Sequence, residues 1–217
     1  AVAAAELASV DGCVIAMGRG GIGRGGWVRQ VREANGRLMR RWISCSSGWA
    51  EHGIARARPL RRSSNPNIIH GDAYKQRGVN RNTRVVVIGA GTAGMEAACT
   101  AAEVGCHTWL LEKKNSLGGL ASEISLLPEK KRIADFPQFM KNRMSGLHNL
   151  MLQVGREANV NAIAELQPNL IINATGSTPL LPPITGLKEC IDVEGGHLFS
   201  ITGMIHHLDR FADAEGK

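Results

Sequence analysis

The stretch "RVVVIGAGTAGMEAACTAAEVGCHTWLLEKKN", residues 84–115, decides the fold. Its opening run, Val85 to Gly89, is apolar, branched and five residues long, enough for a buried parallel strand and too short for a helix. "TAGMEAACTAAEVG" follows, rich in Ala, a strong helix former, and it stops at Gly105 where a C-terminal cap belongs. "CHTWLLE", Cys106 to Glu112, is again strand-like, with β-branched and aromatic residues. Strand, glycine turn, helix, strand makes a right-handed βαβ unit.

Inside that unit Gly89, Gly91 and Gly94 form G-x-G-x-x-G, with Ala90, Thr92 and Ala93 between them. The first glycine permits a tight turn out of the strand, the second lets backbone approach a pyrophosphate, and the third lets helix and strand pack closely. The helix start then directs free N–H groups and a positive dipole end at the phosphates. Glu112 falls at the end of the second strand, where a carboxylate accepts hydrogen bonds from a ribose hydroxyl pair and disfavours a 2′-phosphate. The unit thus reads as a dinucleotide site, set against an ordinary glycine-rich turn of an α/β protein.

Downstream, "KKNSLGGLASE" carries a glycine pair, Gly118 and Gly119, suited to a loop passing close to a ligand. Residues 129–151, "EKKRIADFPQFMKNRMSGLHNLM", read as an amphipathic crossover helix with a solvated basic face. Asn169 to Asn173 reads as a strand, followed by Ala174, Thr175 and Gly176. Small residues at a strand's carboxyl end are where open α/β sheets hold ligands. His206 and His207 fall in a further helical stretch, where packing or surface exposure is the expected role rather than metal binding.

The 217 residues, 43% hydrophobic and 21% charged, suffice for one domain with an appendage. Residues 1–84 hold 15 Lys and Arg against 5 Asp and Glu, while the remainder holds 11 against 14, so the net charge of +7 belongs to the first segment. A basic arm of this kind can hold phosphates or nucleic acid, but a solvated Arg-rich face is commoner, and nucleic acid is the disfavoured partner. No apolar run reaches a membrane span and no secretory leader pattern opens the chain, so no membrane partner and a cytoplasmic address are expected. The five cysteines are scattered without a CxxC pair, which suits reduced thiols. Near residues 61–84 apolar periodicity gives way to Ser, Asn, Pro and Gly, the composition of a linker. A second glycine set, Gly18, Gly20 and Gly23 after "CVIAM", lacks a following strand that ends in an acid. It reads as a flexible basic loop or, through Arg19, as a phosphate clamp.

Together, "VVVIGAGTAGMEAA", "LLEKKNSLGG" and "PNLIINATGSTPLLPPITG" closely resemble the FAD-binding module of the 2,4-dienoyl-CoA reductase, trimethylamine dehydrogenase and 2-enoate reductase group. These are old-yellow-enzyme-type NADH:flavin oxidoreductases with a barrel, an iron–sulfur arm and two nucleotide domains. The resemblance covers almost the whole chain and implies truncation at both ends. It implies an α/β fold, a Rossmann-like FAD/NAD(P)-binding parallel sheet with an N-terminal basic arm left over from a barrel end. The implied divisions are a barrel remnant and degenerate iron–sulfur arm at 1–66, a linker at 67–83, and the FAD/NAD(P)-binding domain at 84–217.

The resemblance also implies roles. Gly89 to Gly94 would hold the FAD pyrophosphate, and Glu112 with Lys113 the adenosine ribose. Gly119 and Leu120 would pass near the flavin, and Ala174, Thr175 and Gly176 would close over the cofactor. Gly18 and Arg19 match the barrel motif that grips the FMN phosphate, although the chain continues "GGIGRGG" where the family has Pro and Asp-Pro. The family's four cluster cysteines would fall on Trp42, Cys45, Trp49 and Arg62, with Asn65 and Pro66 in place. One thiolate cannot hold four irons, and neither indole nor guanidinium is a soft anionic donor. The expected cofactor is therefore FAD, with NAD(P)H as the family's electron donor, and with no metal, [4Fe-4S] cluster or FMN on this chain. In the competing reading Cys45 never belonged to a ligand set.

The function implied by the resemblance is that of an FAD-binding part of an NAD(P)H-dependent, enoate or dienoyl-CoA reductase-like oxidoreductase. It would carry electrons from NAD(P)H through FAD, work with a barrel and an NAD(P)H domain, and be incomplete alone for turnover. The alternatives are a non-catalytic nucleotide- or RNA-binding module using the glycine pocket and the Arg-rich arm, and a remnant that does not fold stably.

Overall fold

The computed structural model describes residues 77–79 and 82–210. The barrel remnant and cluster frame expected at 1–66, with Gly18, Arg19 and Cys45, lie outside these residues, as does most of the linker.

Four parallel strands carry the fold: β1 (Arg84–Ile88), β2 (His107–Leu111), β3 (Leu150–Gln153) and β4 (Leu170–Asn173). Their order across the sheet is β3-β2-β1-β4. Helix α1 (Thr92–Glu103) joins β1 to β2. Between β2 and β3 come α2 (Leu120–Ile124), a 3₁₀ segment (Pro128–Ala134) and α3 (Asp135–Met144). Helix α4 (Val160–Glu165) leads into β4, and α5 (Leu187–Cys190), α6 (Ile201–His206) and a 3₁₀ turn (Leu208–Arg210) follow it. This is the parallel α/β sheet that the sequence implied.

Packing explains the arrangement. Val85 pairs in register with Thr108, and Val87 with Leu110, which puts all four on one face. Val85, Val87 and Leu110 meet Met95, Ala98 and Cys99 of α1 and Phe139, Met140 and Met144 of α3 in a single core cluster. Met95, Leu110 and Met140 are fully buried, each contributing about 1.5–3 kcal/mol through lost apolar hydration. Val86, on the opposite face of β1, is buried as well, so this strand is covered on both sides, as its unbroken apolar run requires.

Helix α1 ends where its sequence says it should. Gly105 takes a left-handed φ of 108°. Its N–H donates to the Ala102 carbonyl, and the Cys106 N–H donates to the Ala101 carbonyl, both at 3.0 Å. That pair of bonds is the Schellman closure. Asn149 completes it, its amide donating to the carbonyls of Ala102 at 2.8 Å and Cys106 at 2.7 Å.

Arg143 of α3 clamps that helix to α1. Its Nε and Nη2 donate to the two oxygens of Glu103 at 2.6 and 2.7 Å, and its Nη1 lies 2.9 Å from a Glu96 oxygen. Burial alone would lower the pKa of this guanidinium, but the hydrogen bond to Glu103 and the charge of Glu96 prevail and hold it above the usual arginine range.

Two expectations are refined. The single helix over 129–151 resolves into the 3₁₀ segment, α3 and the start of β3. "LMLQ" is built of good helix formers, and pairing with β2, Leu110 against Leu152, makes it a strand nonetheless. His206 ends α6, while the ring of His207 packs 5.5 Å from that of Phe199, over which Arg210 also lies at 5.1 Å.

Candidate functional site

Chain direction fixes where a ligand can sit. From β1 the chain steps outward to β2 and β3, then returns to the other side of β1 for β4. The strand order therefore reverses between β1 and β4, and their carboxyl ends mark the topological switch point where open parallel sheets bind ligands.

The predicted residues converge on that edge. Gly89, Ala90 and Gly91 form the turn out of β1, and Thr92, Ala93 and Gly94 open α1. Glu112 and Lys113 directly follow β2, Gly119 and Leu120 begin α2, and Ala174, Thr175 and Gly176 follow β4.

The three motif glycines separate by what surrounds them. Gly89 has φ 97°, and a Cβ there would run into the backbone of Ala174. A Cβ on Gly94 would overlap the Gly89 carbonyl oxygen. Both positions are closed by the protein itself. Gly91 differs: its φ of −72° and ψ of −174° suit any residue, and a Cβ there meets nothing within 4 Å. Among the described residues nothing fills the volume beside Gly91, and the backbone there does not require glycine.

The cradle around that volume is made of backbone. Among the described residues no side chain caps the N-terminus of α1 and no acidic residue stands in its first turn, so its leading N–H groups and positive dipole end face the crevice. Opposite them, the Gly118 N–H donates to the Ala90 carbonyl at 2.9 Å, and Gly91 and Gly118 form an isolated parallel bridge. The backbone turns there through left-handed φ values of 105° at Gly118 and 51° at Gly119. A Cβ on Gly119 would come 3.1 Å from the Gly91 Cα, so the two glycine loops lie against each other. Across β1, the Ala174 N–H donates to the Ile88 carbonyl at 2.8 Å, and Asn173 Oδ1 accepts from the Thr175 hydroxyl at 2.9 Å.

Glu112 ties these loops together. Its Oε2 accepts from the Ala90 N–H at 2.6 Å and its Oε1 from the Lys114 N–H at 2.9 Å. Each carboxylate oxygen has two lone-pair sites, so one on each remains for a ligand's hydroxyl groups.

Sequence reasoning passed over Lys114 and Glu123. The Lys114 ammonium lies 2.6 Å from a Glu123 oxygen of α2, and that hydrogen bond, then the charge of Glu123, raises the ammonium's pKa above the ordinary lysine range. Nothing in the spacing of "EKKNSLGGLASE" announces the pair, because the two residues meet only once the glycine loop has folded back. Among the described residues no group of three or more His, Cys, Asp or Glu could hold a metal ion, and no helix is long and apolar enough to cross a membrane.

An unencumbered glycine beside an uncapped helix start, with a carboxylate at the end of the neighbouring strand, is the arrangement that α/β sheets use at dinucleotide sites. Comparison with known proteins narrows the class. Residues 84–161 match the family described as FAD dependent oxidoreductase. An NADH oxidase of Thermoanaerobacter brockii is 35% identical over 178 residues, 81% of this chain and 27% of that protein. A bilirubin reductase of Mediterraneibacter gnavus is 30% identical over 196 residues, 89% of this chain and 29% of that protein. Among solved structures, a 2-naphthoyl-CoA reductase in complex with 2-naphthoyl-CoA aligns with TM-score 0.72 at 25% identity, covering 80% of this chain and 26% of the other. A histamine dehydrogenase from Rhizobium sp. 4-9 aligns with TM-score 0.69 at 20% identity over 78% of this chain and 25% of the other, a likeness of fold. The chain is thus similar, over the residues matched, to one part of larger proteins described as FAD-dependent oxidoreductases, NADH oxidase and bilirubin reductase. It spans about a quarter to three tenths of the length of the curated relatives it matches most extensively.

Proposed function

We propose that the crevice between the carboxyl ends of β1 and β4 binds FAD, and that residues 84–217 act as the FAD-binding domain of an NAD(P)H-dependent flavin oxidoreductase. The observation that carries this reading is the open side of Gly91 at the uncapped start of α1. A position that the protein itself would tolerate with a side chain is left bare at the place where backbone amides can surround a diphosphate.

The remaining roles rest on position. The N–H groups of Gly91 and of the helix start, Thr92, Ala93 and Gly94, supply donors to the diphosphate, while Gly89 and Ala90, whose N–H groups are held by the Leu111 carbonyl and the Glu112 carboxylate, shape the turn beside it. Glu112 offers its spare lone pairs to the ribose hydroxyls, and its charge rejects a phosphate on the 2′ position. Lys113, exposed next to it, adds a cation on the ribose side. Gly119 and Leu120 lie beyond the second glycine loop, on the side that family likeness assigns to the flavin. Ala174, Thr175 and Gly176 form the opposite wall.

When bound, FAD supplies hydride and single-electron chemistry, while the protein supplies binding, orientation and electrostatics. The loops would hold the cofactor's diphosphate through backbone N–H groups and its ribose through the Glu112 carboxylate. NAD(P)H is the proposed electron donor. Residues 1–66 are proposed to be a barrel remnant with a cluster frame that no longer holds iron, and 67–83 the linker to the nucleotide domain.

The test is reconstitution of the full chain with FAD. The expected result is yellow protein that retains about one flavin per chain through gel filtration. A colourless product with salt-dependent RNA affinity would replace the flavin reading with that of a nucleic-acid module.

A further inference from the structure

An ion pair bridges the loop between β2 and α2. Lys114 has three attachments: its N–H donates to Glu112 Oε1 at 2.9 Å, its carbonyl accepts from the Gly155 N–H at 3.1 Å, and its ammonium meets Glu123 at 2.6 Å. Glu123 belongs to the five-residue helix that begins directly after Gly119. The contacts close a ring. Ala90 donates to Glu112, Glu112 accepts from Lys114, Lys114 grips Glu123 on α2, and Gly118, just before α2, donates back to the Ala90 carbonyl.

We infer that Lys114 and Glu123 form a positioning strap for the dinucleotide site: the pair fixes the second glycine loop against Gly91 and aims the Glu112 carboxylate, without touching the cofactor's reactive part. The inference rests on the flavin-site reading. The backbone of the strapped segment explains why a pair is needed. Gly118 and Gly119 both adopt left-handed φ, and such a glycine turn has many alternatives once released. A five-residue helix does not hold itself in place. The Lys114 side chain is 55% exposed and that of Glu123 21%, so the pair is worth what a surface ion pair is worth. An effect of about two- to five-fold on cofactor affinity is the size to expect.

The strap makes a prediction opposite in sign to the simplest competitor, in which Lys114 merely attracts phosphate by charge. Removing the Glu123 charge would then leave a more positive site and tighter binding. With a strap, the same change loosens the loop and weakens binding.

The experiment is a flavin-fluorescence titration of the full chain with FAD. It compares the wild type with Lys114→Met, Glu123→Gln, the double variant, and the exchanged pair Lys114→Glu with Glu123→Lys. Each single variant should weaken FAD binding about two- to five-fold, the double no more than either single, and the exchanged pair should recover most of the loss. The gap between wild type and Glu123→Gln should narrow at about 1 M salt, where an exposed pair is screened. The melting temperature of the flavin-free protein should stay nearly constant across the set, which a purely structural role would not allow. Unchanged or tighter binding by Glu123→Gln, or additive losses in the double variant, would overturn the strap while leaving the flavin site standing. Failure of the wild type to bind FAD would overturn both.

Discussion

Replacing the three motif glycines one at a time should separate what the fold needs from what the ligand needs. At Gly91 the backbone is extended, and an added Cβ meets no protein atom within 4 Å. Gly91→Ala should therefore fold at wild-type stability or gain about 0.4–1 kcal/mol by restricting the unfolded chain. The same methyl group occupies the volume assigned to the diphosphate. Pushing that group away from the backbone forfeits one or two charge-assisted hydrogen bonds at about 1.5–3 kcal/mol for the first, a loss of roughly 10- to 100-fold in FAD affinity. Gly94→Ala should behave in the reverse way, because its Cβ overlaps the Gly89 carbonyl at a buried helix–strand contact. Relief requires α1 to move off β1, costing about 3 kcal/mol or more. The assay is paired: thermal unfolding of the flavin-free protein, then equilibrium dialysis against FAD. Wild-type affinity in a stably folded Gly91→Ala variant would refute the reasoning, and so would an unaltered melting temperature for Gly94→Ala.

Other consequences are structural. Arg143→Met should cost about 2 kcal/mol and lower the melting temperature by roughly 4–8 °C. It removes the guanidinium that pairs with Glu103 and Glu96, whose partial exposure keeps the loss below that of a fully buried pair. Asn149→Ala should destabilise by about 1–3 kcal/mol through loss of the two bonds that cap α1, read by denaturant unfolding. Asp192 is held below the usual carboxylate range by the Ser200 hydroxyl and then by the Ser200 N–H. Its contribution is present above the ordinary Asp value of about 3.9 and is lost as pH falls through the depressed one. The Ser200 amide resonance should titrate with a midpoint under that value, and Asp192→Asn should abolish the step.

Much of the site could be read before any coordinates, and the reason is local. The path from Val85 to Glu112 is one βαβ unit whose apolar run, Ala-rich helix and three glycines each depend on neighbours a few residues away. β4 and its small-residue exit were visible for the same reason. Legibility fails where distant parts decide. β3 lies in a stretch with helix-forming Leu and Met and becomes a strand by pairing with β2. Helix α4 was missed although its signal was present: Asn159 accepts from the Ala162 N–H at 2.8 Å, and an Asn ahead of "VNAIAE" is an N-cap pattern. Arg143 stood in the sequence as part of a solvated basic face and Lys114 was passed over; only the packing of α3 on α1, and the return of the glycine loop, gives them their carboxylates. Glu112 was expected to face a ribose, and the structure shows it bracing the loop by accepting the Ala90 and Lys114 N–H groups.

The most direct test is amide hydrogen exchange of the full chain with and without saturating FAD. Binding in the proposed crevice predicts slowed exchange confined to residues 89–95, 112–120 and 174–177, with the outer turns of α3 and α4 unchanged. Saturable flavin binding with those three segments exchanging at their free rates would place the cofactor elsewhere and contradict the account.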